Sequence, residues 1–214
     1  MTFILNQINS ISNHMLKELR DKRIQQDRAR FRKNVEQLGS IMAYEISKKL
    51  AYREEIVETP VGNASIQILI QQPVLITVLR AGLPYFQGFL QVFDKADCGF
   101  IGAFRKEGEK EITINLNYMA TPSLEGRDVI LIDPMLATGK SFVKSVEAMK
   151  ALGKTTHIHI AALVAAPEGV EYLAKNLTVP HTIWTFALDE KLNEHSYIVP
   201  GLGDAGDLCY GEKM

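Results

Sequence analysis

Val129–Phe142 reads V-I-L-I-D-P-M-L-A-T-G-K-S-F, and this stretch decides the fold. Val129, Ile130, Leu131 and Ile132 form an unbroken apolar run that ends on a carboxylate and a proline. A short run of this kind, bounded by turn formers, suits a strand buried on both faces of a sheet. Ala137-Thr138-Gly139-Lys140-Ser141 then makes a loop of small residues, after which Val143, Val146 and Met149 recur by threes, as on one face of a helix. Strand, tight loop and helix start bring backbone N–H groups and a helix dipole to one place, which makes a cradle for an anion. Gly139 lets the backbone approach a phosphate closely. Thr138 and Ser141 add hydroxyls, and Asp133 sits at the strand end, placed for a ribose hydroxyl or a hydrated Mg²⁺. Gly139-Lys140-Ser141 imitates the end of a Walker A loop. That motif needs a glycine five residues earlier, and the residue there is Pro134, so a P-loop kinase is excluded.

Outward from this stretch the same alternation repeats. Pro73–Leu79 is a second apolar run and ends in Arg80-Ala81-Gly82, as a strand opening onto a ligand would. Gly99–Phe104 is a third, again ending on a base, Arg105, and Ile112–Met119 alternates like a strand. His157–Ala165 and Thr182–Leu188 are further core strands, with a helix expected over Pro167–Lys175 between them. His157 and His159 are expected on a half-exposed strand face rather than as metal ligands, and Trp184 in the core. Strands alternating with helices predict an α/β fold with a mainly parallel sheet flanked by helices. Towards the N-terminus, Phe31, Val35, Leu38, Met42, Ile46 and Leu50 mark an amphipathic helix over Asp27–Leu50. Its arginines, Arg28, Arg30 and Arg32, are read as a solvated face. Glu54–Gln71 changes period around Pro60-Val61-Gly62-Asn63 and predicts a β-hairpin arm for a partner subunit to cover. Met1–Gln25 is only weakly patterned.

Composition bounds the function. The chain has 214 residues, 46% of them hydrophobic and 23% charged, consistent with one domain and a sizeable core. A net charge of −1 gives no general attraction to nucleic acid or an anionic membrane, so neither is an expected partner. No apolar run approaches the ~20 residues that span a bilayer, and the N-terminus lacks a signal-peptide pattern, so a cytoplasmic protein is expected. Cys98 and Cys209 have no Cys or His at metal-ligand spacing and are read as buried or incidental thiols.

The second informative stretch is Tyr197–Asp207, Y-I-V-P-G-L-G-D-A-G-D. Its glycines, proline and aspartates make a loop with exposed backbone donors and acceptors. Such a loop suits a small planar base with amide-like edges.

With these motifs in order, the chain resembles the uracil phosphoribosyltransferases, which have the type I phosphoribosyltransferase fold. The resemblance is carried by Asp133–Ser141, Leu79–Leu83 (L-R-A-G-L), Leu163–Gly169 (L-V-A-A-P-E-G), Leu192–His195 (L-N-E-H) and Tyr197–Asp207, and it covers the chain from about Asp27 onward. It implies a single domain over residues 1–214, with the arm at 54–71 and a C-terminal base-binding hood at 189–214. By the same resemblance Asp133, Pro134, Met135, Leu136, Ala137, Thr138, Gly139, Lys140 and Ser141 would hold the ribose and 5′-phosphate of phosphoribosyl diphosphate (PRPP). Arg80 and Arg105 would bind its diphosphate. Ile198, Gly203, Asp204 and Ala205 would hold uracil, with Asp204 also reaching PRPP. Arg80, Arg105, Asp133 and Asp204 would be the catalytic set. Mg²⁺ would be held mainly through PRPP and water, and a homodimer or higher homo-oligomer is implied. Two departures from the family pattern stand out: Lys140 replaces a common second glycine, and Leu208-Cys209-Tyr210-Gly211 replaces a basic residue and phenylalanine, with Tyr210 able to keep the aromatic role.

The implied reaction is uracil plus PRPP giving UMP and pyrophosphate. Competing expectations are a nucleotide-sensing regulatory protein on the same fold and a phosphoribosyltransferase for another base.

Overall fold

The computed structural model describes residues 1–105 and 114–212, with the backbone alone for 103–105 and 114–117. In chain order the elements are β1 (Thr2–Ile4), α1 (Ser12–Arg20), α2 (Arg28–Ser47), β2 (Tyr52–Thr59), β3 (Gly62–Leu69), β4 (Val74–Leu79), α3 (Gly82–Val92), β5 (Cys98–Arg105) and β6 (Ile114–Ala120). They continue with β7 (Asp128–Ile132), β8 (Met135–Leu136), α4 (Lys140–Met149), β9 (His157–Ala165), α5 (Pro167–Asn176), β10 (His181–Leu188), β11 (Lys191–Leu192), β12 (Ile198–Val199) and α6 (Ala205–Tyr210). Of the strand expected over Ile112–Met119, the first two residues lie outside the described residues.

The main sheet runs β1-β10-β9-β7-β4-β5-β6, with β8 added beside β9. Its pairings are parallel except for β5 with β6. The apolar run of β7 lies mid-sheet and is buried along Val129–Ile132, as its lack of alternation requires. Successive residues feed two separate cores. Leu75, Ile130 and Ile132 pack with α1, α2 and α3, whereas Val74, Ile76, Val129 and Leu131 pack with α4 and α5. The result is a three-layer sandwich with helices on both faces.

The long helix α2 buries Phe31, Val35, Leu38, Met42 and Ile46 along one stripe. Asp27 caps it, accepting from the N–H groups of Ala29 and Arg30 at 3.0 Å each. The expected helix continued to Leu50. Instead the last turn tightens, with Lys49 N–H bonding Ile46 O and Leu50 N–H bonding Ser47 O. The arginines of α2 are not simply solvated, as had been expected. Arg30 Nε donates to Glu18 at 2.7 Å, and Arg32 Nη1 donates to the Cys209 carbonyl at 2.8 Å. These contacts tie α1 and the C-terminal segment to α2. Cys209 is buried, which pushes its thiol up to about 12, in keeping with an inert structural residue.

The hairpin of β2 and β3 forms in the register Thr59↔Gly62, and neither strand has a buried residue. Ile56, Ile66 and Val61 stand exposed on it. No helix among the described residues is long and apolar enough to cross a membrane.

Two expectations are corrected at the N-terminal edge. Thr2–Ile4 joins the sheet parallel to β10, and Phe3 stacks on Trp184 with ring centroids 4.3 Å apart. A strand of three residues shows no period in sequence; its partner strand defines it. One of the two strand histidines also departs from expectation. His159 is only 4% exposed, where a half-exposed face had been expected. Trp184 Nε1 donates to His159 Nδ1 at 3.2 Å. An indole N–H can only donate, so Nδ1 carries no proton and the ring is neutral.

Burial, with a smaller contribution from the neighbouring His157, lowers the His159 pKa from 6.5 to about 4. The unfolded chain therefore binds more protons in this window, and stability present above pH 6.5 is lost as pH falls towards 4. His157 is also shifted down by burial, whereas burial raises Asp128 and offsets part of the effect at the acid end. Denaturant melts at pH 7 and pH 5 should show a loss that is smaller in His159→Gln, which keeps an acceptor for Trp184; the difference over this window is of order 2 kcal/mol. Equal losses in both proteins would refute the assignment.

Candidate active site

The sheet order locates the site before any side chain is considered. β4 continues through α3 to β5 on one side, and β7 continues through α4 to β9 on the other. The two central strands depart in opposite directions, leaving a crevice beyond their carboxyl ends, where open α/β sheets bind ligands. Arg80 follows β4 and Asp133 follows β7 at the rim of this crevice.

The anion loop is held by its own backbone. Asp133 Oδ1 accepts from Met135 N–H at 3.0 Å, which orients the carboxylate over the turn. Pro134 O accepts from Leu163 and Val164, and Met135–Leu136 pairs alongside β9. Ala166 N–H closes the loop on Leu136 O at 2.9 Å. Thr138 Oγ1 accepts from Lys140 N–H, and Gly139, with φ of 76°, turns the chain into α4. A side chain there would require a left-handed backbone that L-residues disfavour. Lys140 is the first residue of α4 and Ser141 the second.

The hood folds over the same end. Asp204 caps α6, its Oδ1 accepting from Asp207 N–H at 3.0 Å. Arg80 Nη2 donates to Asp207 Oδ1 at 3.1 Å and to Gly211 O at 3.3 Å. A Cβ on Gly206 would lie 3.1 Å from Asp204 Oδ1 and 3.9 Å from Arg80 Nη2, so glycine lets these groups crowd together. The Ile198 side chain is buried, as is that of Ala205, whereas Gly203 is exposed with φ of 94°. Of these three, Gly203 lines the cleft beside this segment, and it has only backbone to offer there. A cleft of about 510 Å³ opens between the α1–α2 connection and this segment, with Arg20, Arg28, Asp204 and Asp207 in its wall. The Leu79–Arg80 and Val199–Pro200 peptide bonds are cis.

Chemically, the arrangement offers a cationic fork, oriented carboxylates, a backbone anion cradle and a base-sized backbone loop. A family model described as uracil phosphoribosyltransferase matches residues 8–212. The chain belongs to the uracil phosphoribosyltransferase family. A Porphyromonas gingivalis protein named uracil phosphoribosyltransferase is 45% identical over 207 residues, covering 96% of each chain. A protein of the same name from Dictyoglomus thermophilum is 39% identical over 201 residues, covering 94% of this chain and 95% of that one. The solved structure of the AQ2163 protein from Aquifex aeolicus superposes with a TM-score of 0.87 at 31% identity, covering 99% of this chain and 98% of that chain.

Of the residues singled out in sequence, the structure sets Arg80 and Asp204 on either side of Gly206 and Asp133–Ser141 in one loop at the same end of the sheet. Arg105 ends β5, and its side chain lies outside the described residues. Sequence reasoning missed Arg20, Asp189 and Asp207 as participants in this region. Asp207 lay within the glycine-rich stretch and was legible as a carboxylate of the loop. Arg20 and Asp189 are 169 positions apart, and no local pattern pairs them.

Proposed function

We propose that this member of the family transfers the 5-phosphoribosyl group of PRPP to uracil, giving UMP and pyrophosphate. The observation that carries the reading is the pairing of Arg80 with Asp207, with Asp204 across Gly206 from it, at the switch point of the sheet where the Asp133–Ser141 loop also begins. The family match supports the same chemistry. Residues 1–214 act as one domain, with residues 189–214 as the base-binding hood. The backbone cradle from Pro134 to Ser141 takes the 5′-phosphate, and Asp133 orients the ribose hydroxyls. Arg80 and Arg105 pair with the diphosphate as negative charge builds on it. Asp204 faces the developing positive charge on the ribose and links the PRPP site to the base. Ile198, Gly203 and Ala205 read uracil through backbone groups. Catalysis is then positioning and electrostatics, with no protein nucleophile.

Among the described residues no group of three or more His, Cys, Asp or Glu side chains gathers into a metal cage. Asp133 and Asp204 still supply the hard oxygens that suit Mg²⁺ bound by one or two carboxylates, substrate phosphates and water. When bound, Mg²⁺ offsets charge on the departing diphosphate. The protein works in the cytoplasm as a homodimer or larger homo-oligomer through the 54–71 arm. Ile56→Glu with Ile66→Glu should shift its sedimentation towards monomer, and an unchanged profile would rule the arm out.

Pyrophosphate release should be measured with PRPP, Mg²⁺ and each of uracil, cytosine, hypoxanthine and orotate. Release is expected with uracil. Cytosine puts an amino donor where uracil has an acceptor, leaving a buried donor unpaired, so it should be poorer by about five- to a hundredfold, from ~1–3 kcal/mol. Comparable rates with cytosine would contradict backbone readout. Release only with a purine or orotate would keep the PRPP site and overturn the uracil assignment.

A further inference from the structure

Arg20 lies in α1, in a stretch that carried no motif, and Asp189 follows the last residue of β10. Arg20 Nη2 donates to Asp189 Oδ1 at 2.7 Å, and Nη1 donates to Asp189 Oδ2 at 2.9 Å. The pair does more than close on itself. Arg20 Nη1 also donates to the Gly201 carbonyl at 3.0 Å, while Gly201 N–H donates to Asp189 Oδ2 at 2.9 Å. Both polar groups of one hood peptide position are thus taken by one ion pair. Asp189 is itself fixed to the sheet, its N–H bonding Ala165 O at 2.8 Å at the carboxyl end of β9. The Asp189 side chain is nearly buried, at 6% exposure, and that of Arg20 is at 22%, so water competes weakly for these bonds.

Gly201 has little freedom to move without its neighbours. Its φ is 58°, and a Cβ on it would lie 2.2 Å from the Ile198 carbonyl. Holding Gly201 therefore holds Ile198 behind it and Leu202-Gly203-Asp204 ahead of it, the positions assigned above to the base. One anchor, Arg20, comes from α1, and the other, Asp189, stands where β10 passes into the hood. We infer that Arg20, through Asp189 and Gly201, is a positioning residue that sets the register of the base-reading loop and with it the choice of base. The inference rests on the uracil reading above and extends it to a residue outside the hood.

A planar fork is required, because one group must reach two carboxylate oxygens and a carbonyl at once; an ammonium cannot copy it. The test compares Arg20→Met, which keeps the apolar stem, and Arg20→Lys, which keeps the charge, with wild type in pyrophosphate release. Arg20→Met should raise the KM for uracil by about tenfold to a hundredfold, the factor a charge-assisted hydrogen bond carries, with the KM for PRPP changing less than about twofold. Preference for uracil over cytosine should narrow by a similar factor. Arg20→Lys should fall between, and guanidinium added to Arg20→Met should lower the uracil KM again. A merely structural role would lower thermal stability and raise both KM values together, with base preference intact. That result, or an unchanged uracil KM in both variants, overturns the inference. Should Arg20→Met fail to fold, Arg20→Lys and Asp189→Asn decide on the same readouts. Failure of wild type to release pyrophosphate with uracil would instead sink the activity reading, and this inference with it.

Discussion

Arg80→Ala is expected to lower kcat/KM for PRPP by about a hundred- to a thousandfold, the cost of removing one preorganised donor from a developing oxyanion. The expectation follows from where β4 ends. Its buried apolar run delivers Arg80 to the crevice, and the side chain is 41% exposed, so it is reachable by ligand. In the free protein that group is turned towards Asp207 and the Gly211 carbonyl. A diphosphate carries more charge than either partner and matches the fork of the guanidinium, so it wins the exchange. Arg80→Lys keeps the charge and loses the fork, and should sit between the two. Stability separates this role from a structural one. An exposed ion pair contributes at most about 1 kcal/mol, so the melting temperature of Arg80→Ala should barely move while PRPP turnover collapses. Initial rates over a PRPP range at saturating uracil give the answer. Activity within about threefold of wild type would remove Arg80 from the catalytic set, since a lost charge-assisted contact costs more than that.

The strand–loop–helix at Val129–Phe142 was readable because each of its parts has a local cause. A buried central strand needs an unbroken apolar run, a close phosphate approach needs glycine, and a helix face recurs by threes. The sheet therefore followed from sequence, and so did the two strands that lead into the crevice. What could not be read depends on partners far along the chain. Met135–Leu136 forms a strand only because β9 offers an open edge beside it. His159 is buried beside Trp184, which donates to it and in turn stacks on Phe3, and the strand carrying Phe3 is itself defined by β10. The arginines of α2 looked like a solvated face because Glu18 and the Cys209 carbonyl, their partners, lie on other elements. The hood was read as a glycine-rich loop from its own residues, but the partner that fixes its first residue, Asp189, is Arg20 in α1, 169 positions away. Local chemistry thus announced which groups the site contains, and long-range packing decided how they are held.

That distinction makes Gly169→Ala the sharpest test of the anion loop, because Gly169 touches no proposed ligand group. It lies in the first turns of α5 and is buried against the loop. A Cβ added there would stand 2.3 Å from Ala137 O and 3.0 Å from Leu136 O. The contact is reciprocal, since a Cβ on Gly139 would lie 2.9 Å from Gly169 O. These are backbone atoms with little room to retreat: Leu136 O is bonded to Ala166 N–H, and Pro134 O to Leu163 N–H, both at 2.9 Å. Helix propensity alone predicts that alanine stabilises α5 by about 1 kcal/mol over glycine. Overpacking predicts the opposite, a loss of about 1–3 kcal/mol. With the methyl carbon far inside contact distance, overpacking wins, so the melting temperature should fall. To relieve the clash, either α5 or the loop must shift by a large fraction of an ångström. A misplacement near 1 Å costs up to about a hundredfold in rate, so kcat/KM for PRPP should drop by about ten- to a hundredfold. Gly126→Ala is the control. Gly126 also has a positive φ, 65°, but a Cβ on it meets nothing within 4 Å. It should cost about 1 kcal/mol of backbone strain and leave PRPP kinetics unchanged. Were Gly169→Ala as stable as wild type with the same PRPP kinetics, the loop would have to yield more easily than its bonded carbonyls allow. The cradle would then owe its shape to the ligand rather than to α5.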